Sequence, residues 1–169
     1  IYTTSNIANS VALQADGKIV VAGTAWQYSY NSTNHDFFLL RLNASGNADR
    51  TFDDDGLVTT NFGRQDEART VKIQVDGRIV VTGYADVGFR SYLAIARYES
   101  NGTLDAAFGS EGKVLKSVSG DSSNSFAGEA SAILPDGAII VSARSSLHRF
   151  HADGLPDVEP DGRCNRFWY

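Results

Sequence analysis

Apolar and polar residues alternate along three separate stretches of the chain, and each stretch runs into the same eight-residue phrase. The phrase reads DGKIVVAG from Asp16, DGRIVVTG from Asp76 and DGAIIVSA from Asp136, so each copy begins 60 residues after the previous one. Alternation with a period of two predicts a β-strand. Asp-Gly supplies the backbone of a tight hairpin, and the β-branched run after it favours a second strand. Each copy therefore predicts two antiparallel strands joined by a turn.

A third strand is predicted in each unit by a segment that ends near an arginine. These segments are residues 36–43, 91–99 and 147–151, aligned on Arg41, Arg97 and Arg149. The first of them, DFFLLRLN, is apolar on successive residues, which is typical of a strand that is covered on both faces. We therefore expect the sheets of neighbouring units to pack face to face.

A fourth strand is predicted from Leu57 in the first unit and from Lys113 in the second, but the third unit has no equivalent. The segment Ile1–Asn6 resembles residues 57–62, including the Thr-Thr pair, and we expect it to supply the missing strand. The units are then residues 10–62, residues 70–118, and residues 130–157 together with 1–6. The prediction is twelve strands in a single domain that spans residues 1–169.

Repeated units of four antiparallel strands are typical of a β-propeller, in which each blade packs both faces on its neighbours. We therefore predict an all-β fold, a partial β-propeller with three four-stranded blades per chain. A β-solenoid or a β-sandwich is the alternative that the pattern leaves open.

Two long segments resemble the bacterial delta-60 repeat, a unit that forms β-propellers in large secreted or surface proteins. They read QADGKIVVAG…FLLRLNASGNADRTFDDDG and QVDGRIVVTG…LAIARYESNGTLDAAFGSEG. The resemblance rests on the Asp-Gly hairpins, the strand-end arginines and the loops ending at Phe52 and Phe108. It implies a propeller fold and an extracellular or cell-surface location, and it brings no catalytic motif. The third unit departs from the pattern, because Ala143 replaces the last glycine of the phrase and no phenylalanine follows Asp157 at the corresponding distance.

Three blades do not close a ring, since propellers generally have about four to eight blades. The end blades would expose apolar faces, and large exposed apolar faces indicate association. We therefore expect a homo-oligomer, a dimer that completes six blades, with residues 1–6 pairing across the subunit boundary. The alternatives are that the chain is a fragment of a longer propeller, or that the segment after Asp157 is a poorly matched tail.

Composition narrows the possible partners. The formal net charge is −5 and the 15 lysines and arginines are scattered, which disfavours nucleic acid. No apolar run approaches the roughly 18 residues of a membrane-spanning helix. The first ten residues lack the features of a signal peptide, but a signal removed by processing would leave no trace, so secretion stays open.

Cys164 is the only cysteine, which excludes an internal disulfide and a structural zinc pattern. No metal or other cofactor is predicted.

One connection concentrates the side chains of a candidate binding site. TAWQYSYNSTNHD, between the second and third strands of the first unit, is the longest of the three equivalent connections. Aromatic rings pack on sugar rings, and amides and carboxylates bond to hydroxyls, so the loop predicts carbohydrate binding. The predicted ligand-binding residues are Trp26, Tyr28, Tyr30, Asn34, His35 and Asp36. The alternative is that the aromatic residues extend the strands and cap the gap between two blades.

Three further motifs are weaker candidates. FDDDG at residues 52–56 lacks the ligand positions of a helix-loop-helix calcium site, which favours solvated turn acids. His148 and His151 differ from the equivalent residues of the other units, which suits either a functional site or a core histidine and a strand-end residue. GDSSNS at residues 120–125 is expected to be a polar loop between blades.

These observations predict a noncatalytic β-propeller interaction module outside the cell, completed by self-association and binding a glycan through the first unit. The alternative is a hydrolase, a glycosidase or esterase, using carboxylates or Ser and His at the same rim, because a propeller fold does not decide function. No catalytic residue is predicted.

Overall fold

The computed structural model describes residues 4–29, 32–88, 90–117, 127–143 and 146–157. Its strands are β1 (Thr4–Leu13), β2 (Ile19–Ser29), β3 (Ser32–Leu42), β4 (Leu57–Thr60), β5 (Gln65–Ile73), β6 (Ile79–Val87), β7 (Arg90–Tyr98), β8 (Lys113–Ser117), β9 (Ala127–Ile133), β10 (Ile139–Ala143) and β11 (Ser146–Phe150). Across these ranges there is no helix, and hence none that could span a membrane. The predicted all-β class is confirmed.

Antiparallel pairing of consecutive strands forms three meanders. Meander 1 comprises β1–β4, meander 2 comprises β5–β8 and meander 3 comprises β9–β11. A single parallel pair, His35 with Gln65, joins meanders 1 and 2 into one hydrogen-bonded sheet, whereas meander 3 is a separate sheet. The short connections favour this order, since consecutive antiparallel strands need only a hairpin between them.

The Asp-Gly hairpins form as predicted. Gly17, Gly77 and Gly137 have φ angles of +83°, +87° and +83°, a region that glycine adopts without steric cost. In each turn the preceding aspartate accepts a hydrogen bond from the backbone N–H two residues later, at 3.0–3.2 Å. The turn chemistry of the sequence therefore fixes the first two strands of every meander.

The meanders stack face to face, and neighbouring side chains of one strand contact different meanders. In β6, Ile79 and Val81 belong to the core shared with meander 1, whereas Val80 belongs to the core shared with meander 3. All three side chains are fully buried. Meander 2 is thus covered on both sides, and the face-to-face packing expected from the sequence is confirmed.

We call the side of a meander that points to the next meander its forward face and the opposite side its rear face. The forward faces carry Val20, Ala22, Phe37 and Leu39 in meander 1, and Val80, Leu93 and Ile95 in meander 2. The rear faces carry Val71, Ile79, Val81, Ala96 and Tyr98 in meander 2, and Ile139, Val141, Ala143 and Phe150 in meander 3. Both interfaces inside the chain therefore join a forward face to a rear face.

A β-bulge in the first hairpin of meanders 1 and 2 requires the glycine that ends the repeated phrase. The register skips Asn9 where β1 pairs with β2, and it skips Arg69 where β5 pairs with β6. A Cβ on Gly23 would lie 1.9 Å from the Ile7 carbonyl oxygen, and a Cβ on Gly83 would meet a carbonyl oxygen at the same distance. A side chain at either position would therefore force the bulge to change.

Meander 3 has an alanine at this position and a wider bulge. Ala143 pairs with Ala127, and the register skips both Gly128 and Glu129 instead of one residue. The extra residue moves the opposing backbone, so the methyl group can be accommodated. The departure from the repeat thus alters the pairing locally without removing the strand.

The prediction of a separate fourth strand at residues 1–6 is wrong for the described part of that segment. Thr4, Ser5 and Asn6 are the first residues of β1 and pair with β2 within meander 1. Continuing β1 gives their backbone groups partners along the extended part of β2, so they do not complete the third unit of this chain; pairing across a subunit boundary stays a prediction. Meander 3 has three strands in the described residues, and the strand count there is eleven rather than twelve.

Candidate functional site

The predicted carbohydrate-binding loop is mostly a long hairpin. Because β2 extends to Ser29 and β3 begins at Ser32, most of the connection expected to be a loop is strand. Trp26 and Tyr28 alternate with smaller residues, and this period of two fits the strand pairing that forms. Tyr28 lies within β2, and Tyr30 lies outside the described residues.

Trp26 and His35 pair in register and stack on each other. Their ring centroids are 3.8 Å apart and the ring planes differ by 32°. The His35 backbone N–H donates to the carbonyl oxygen of Arg64 at 3.2 Å, which places the stack at the crevice between meanders 1 and 2. Burial lowers the pKa of His35, although the charges of Glu67 and Asp36 oppose this shift. The imidazole is therefore mainly neutral at pH 7.

Asn34 and Asp36 alternate with His35 along β3 and so lie on the other face of that strand. Asn34 donates from Nδ2 to Asp36 Oδ1 at 3.0 Å, and Asn61 donates to the same oxygen at 2.9 Å. Asp36 is buried, and burial raises its pKa despite the two amide bonds. The carboxylate thus links the hairpin to the connection between β4 and β5.

The structure brings the predicted site residues together in two pairs, on opposite faces of β3. Trp26 contacts His35, and Asn34 contacts Asp36. A single ligand touching all four side chains would have to reach both faces of the strand. The geometry favours the alternative in which Trp26 and His35 cap the gap between two meanders, and the carbohydrate site stays a prediction.

A buried carboxyl group beside this hairpin was not indicated by the sequence pattern. Asp66 is fully buried, and its Oδ2 accepts the backbone N–H groups of Phe62 at 2.5 Å and Gly63 at 3.1 Å. Its other oxygen has no hydrogen-bond partner. Burial, together with the charges of Asp36 and Asp86, raises the pKa of Asp66 to about 6. Asp66 therefore holds the β4–β5 connection and titrates close to neutral pH.

The weaker candidates have structural roles where they are described. His148 is buried between meanders 2 and 3, and its Nε2 lies 2.9 Å from the Ser146 hydroxyl, which supports the core-histidine interpretation. His151 is exposed. In FDDDG, the Asp55 carboxylate accepts a backbone N–H of its own turn at 2.8 Å. GDSSNS at residues 120–125 lies outside the described part of the chain.

Two of the strand-end arginines, Arg41 and Arg97, make polar contacts that connect neighbouring meanders. Arg41 donates from Nε to Asp49 at 2.9 Å, and its Nη1 donates to the carbonyl oxygen of Ser100 in meander 2. Its guanidinium carbon lies 4.5 Å from the centroid of the Phe52 ring. Hydrogen bonds from Thr51, with further help from nearby cations, hold the pKa of Asp49 well below its usual range. The buried arginine is therefore paired on every side.

Meander 2 repeats this arrangement. Arg97 donates to Asp105 at 2.7 Å and to the carbonyl oxygen of Ala152 in meander 3, and it lies 4.5 Å from the centroid of the Phe108 ring. We call this set the arginine clamp: the arginine, the aspartate eight residues later and a carbonyl oxygen of the following meander. Charge-assisted bonds of this kind are stronger than neutral ones. The constant spacing of eight residues from arginine to aspartate was the signal for the clamp, but a pairing of the two side chains was not predicted from it.

Arg149 occupies the equivalent position in meander 3, and no meander follows it among the described residues. Arg149 donates from Nη1 to Asp157 at 2.9 Å and from Nη2 to Asp136 at 3.0 Å. Its Nε, the atom that binds the aspartate in the other two clamps, is buried without a hydrogen-bond partner. The Arg149 guanidinium is therefore oriented differently from those of Arg41 and Arg97, at the point where a following meander would dock.

The rear face of meander 1 is also uncovered. Val11 and Leu13 are 66% and 71% exposed, whereas Val71, which occupies the position of Val11 in meander 2, is 1% exposed. Meander 1 itself covers Val71. The same apolar face is therefore buried in one unit and open in the other.

Comparison with known families supports a propeller. A family model described as a domain of unknown function, the DUF5122 beta-propeller, matches residues 14–52 and 74–108. These ranges include the first two repeated phrases and end at Phe52 and Phe108. No curated protein matches the chain. The chain is thus similar to a β-propeller repeat family over parts of its first two units.

Proposed function

We propose that the chain is a noncatalytic β-propeller interaction module whose three meanders are blades and whose ring is completed by self-association. The observation that carries the proposal is the open rear face of meander 1. Val71 is buried by the neighbouring meander 1, and Val11, at the equivalent position, is exposed. Because the forward face of meander 1 covers the equivalent face of meander 2, we expect a forward face to cover the rear face of meander 1 as well.

Association has a clear driving force at this surface. Burial of apolar surface contributes roughly 25 cal/mol per Å², and Val11 and Leu13 lie together on β1 beside the half-buried Val21 and Leu40. An exposed apolar patch of several side chains is typical of an interaction site. A partner that offers a forward face would bury it.

Sedimentation equilibrium over a range of protein concentrations tests this proposal. We expect the mass to rise from that of the 18.2 kDa chain to twice that value as the concentration increases. A mass of 18.2 kDa at every concentration, with no change in the fold, would contradict self-association.

We also propose that the module acts outside the cell or at its surface, since the delta-60 resemblance implies that setting. Localisation of the tagged protein in its native host tests it: recovery from the medium or the cell surface is expected, and recovery only from the cell interior would contradict it.

Glycan binding at the β2–β3 hairpin is the finer part of the proposal. It is supported by Asn34, whose partly exposed amide lies near the end of the hairpin. On a glycan array we expect binding by the native chain and at least tenfold weaker binding by Asn34→Ala, with Asn47→Ala as an exposed control. Equal binding by Asn34→Ala would contradict a site at this hairpin. The hydrolase alternative stays a prediction, and the described Ser146–His148 contact does not favour it because both side chains are buried.

A further inference from the structure

We infer that the partner is a second copy of this chain, bound head to tail. In this arrangement the forward face of meander 3 covers the rear face of meander 1 in the next copy, and Arg149 donates to the carbonyl oxygen of Ala44 there. The inference rests on the proposed self-association and adds its polarity and its contacting atoms.

The polarity follows from the two interfaces inside the chain. Each joins the forward face of one meander to the rear face of the next. The surfaces left over are one of each kind, the rear face of meander 1 and the forward face of meander 3. Because no two like faces meet among the described strands, a contact between unlike faces continues an interface that occurs twice within the chain.

The contacting atoms follow from a repeated two-point contact. Between meanders 1 and 2, Arg41 donates to the Ser100 carbonyl oxygen, and the Asp53 N–H donates to the Asn101 carbonyl oxygen at 3.0 Å. The two acceptors are the third and fourth residues after Arg97. A loop of the following meander thus docks beside the clamp of the preceding one.

The second interface uses the same positions. Arg97 donates to the carbonyl oxygen of Ala152, and the Gly109 N–H donates to that of Asp153 at 2.8 Å. These acceptors are the third and fourth residues after Arg149. By the same rule, the acceptors that meander 1 offers to a preceding blade are the third and fourth residues after Arg41.

Those residues are Ala44 and Ser45, and both are exposed. On the other side of the contact, Arg149 lacks the carbonyl partner that Arg41 and Arg97 have, and its Nε is buried and unpaired. Although Nε is buried, the Arg149 side chain as a whole is 32% exposed, so both the arginine and the two acceptor carbonyls are accessible to a second chain.

The forward face of meander 3 provides the apolar part of the contact. Ile140 and Leu147 are half-buried, whereas Val80 and Ile95, at the equivalent positions of meander 2, are fully buried under meander 3. A contact between unlike faces forms a ring if the rotation closes. Two chains give six blades, which lies within the range of about four to eight blades that propellers use.

The test uses one substitution on each face and a control away from both. Leu13→Glu changes the rear face of meander 1, Leu147→Glu changes the forward face of meander 3, and Val75→Glu changes a hairpin residue that is 106% exposed. Sedimentation equilibrium gives the mass of each variant and of an equimolar mixture of the two face variants. Circular dichroism shows that each variant is folded.

We expect both face variants to remain at 18.2 kDa and the Val75→Glu control to dimerise like the native chain. The mixture should recover a species of twice the chain mass, because one of its two interfaces keeps an intact rear face and an intact forward face. That species should dissociate more readily than the native dimer, which closes two interfaces at once. Arg149→Lys should weaken native dimerisation at least tenfold, since lysine cannot reproduce the planar contact.

Two results would overturn the inference while leaving self-association intact. The first is loss of the dimer with only one of the two face variants, which would indicate that like faces pair with each other. The second is a mixture that stays monomeric. A native chain that is monomeric at every concentration would overturn the inference and the self-association together.

Discussion

Replacing three equivalent glycines by alanine distinguishes two effects on the free energy of unfolding. One is a steric contact between meanders, and the other is strain in the backbone. Gly46, Gly102 and Gly154 occupy the same place in the loop after the third strand, with φ angles of +82°, +99° and +87°. A Cβ on Gly154 would lie 2.8 Å from the Phe108 ring, and a Cβ on Gly102 would lie 3.1 Å from the Phe52 ring. A Cβ on Gly46 would meet nothing within 4 Å.

All three alanine substitutions carry the cost of a left-handed backbone, about 1–2 kcal/mol. At Gly102 and Gly154 the methyl group must also displace a fully buried phenylalanine, and overpacking of this kind costs about 1–3 kcal/mol more. We therefore expect Gly46→Ala to lower the free energy of unfolding by about 1–2 kcal/mol. Gly154→Ala should lower it by about 2–5 kcal/mol, and Gly102→Ala by slightly less, because its contact is longer.

Urea unfolding followed by circular dichroism measures these values. All three substitutions are made in the Leu13→Glu background, so that association does not contribute. The difference between Gly154→Ala and Gly46→Ala reports the packing of meander 3 on Phe108. If the two variants were equally stable, the loop of meander 3 would not lie against that ring and the stacking described above would be wrong.

Three further predictions test separate parts of the structure. Asp105→Asn should lower the free energy of unfolding by about 3 kcal/mol, because it leaves the Arg97 charge buried and unpaired. The control Asp16→Asn, at an exposed turn, should change this free energy by less than about 0.5 kcal/mol. If urea unfolding gave equal free-energy changes for the two variants, the result would argue against the clamp. The raised pKa of Asp66 means that folding favours its protonated form, so its stabilising contribution is complete below about pH 4 and is lost as the pH rises through about 6. Asp66→Asn should therefore gain stability relative to the native chain by up to about 3 kcal/mol between pH 4 and pH 7, and parallel pH profiles would count against the buried carboxyl. Gly83→Ala should cost about 1–3 kcal/mol, because a Cβ there would lie 1.9 Å from a backbone oxygen; a thermal midpoint equal to that of the native chain would contradict the bulge.

The features that the sequence predicted well depend on neighbouring residues. The Asp-Gly turns, the strands beside them and the third strands that contain Arg41 and Arg97 form where the local pattern placed them, although β3 begins at Ser32 rather than at residue 36. Turn chemistry and period-two alternation act over a few residues, so they can be interpreted without knowing what the strand packs against. Face-to-face packing was also predictable, because DFFLLRLN has apolar side chains on both faces.

The features that the sequence analysis misjudged depend on partners that are distant in the chain. Thr4–Asn6 resembles a fourth strand in composition, but it joins β1 because β2 is long enough to pair with it. The hairpin that carries Trp26 and His35 was expected to be a loop, although the same alternation also fits the strands that form. Which face each side chain occupies depends on the register, and a shift of one residue would reverse it.

The arginine clamps could not be predicted from the sequence for a different reason. Their spacing is visible in the sequence, but the acceptors of Arg41 and Arg97 are carbonyl oxygens, which every residue has. Only the stacking of the meanders shows that the acceptor belongs to the following unit. Comparison with these clamps also shows how Arg149 differs. Its Nε has no hydrogen-bond partner, whereas the Nε atoms of Arg41 and Arg97 donate to an aspartate.

Covalent footprinting of the native chain is the most direct test of the central claim, which is that further blades cover the end faces of the three stacked meanders. A diazirine reagent labels exposed side chains, and mass spectrometry locates the label at a concentration below the association range and at one above it. The account predicts that labelling of Val11, Leu13 and Leu147 falls at the higher concentration, while labelling of Val75 stays the same. Equal labelling of Val11 and Leu13 at both concentrations would contradict it.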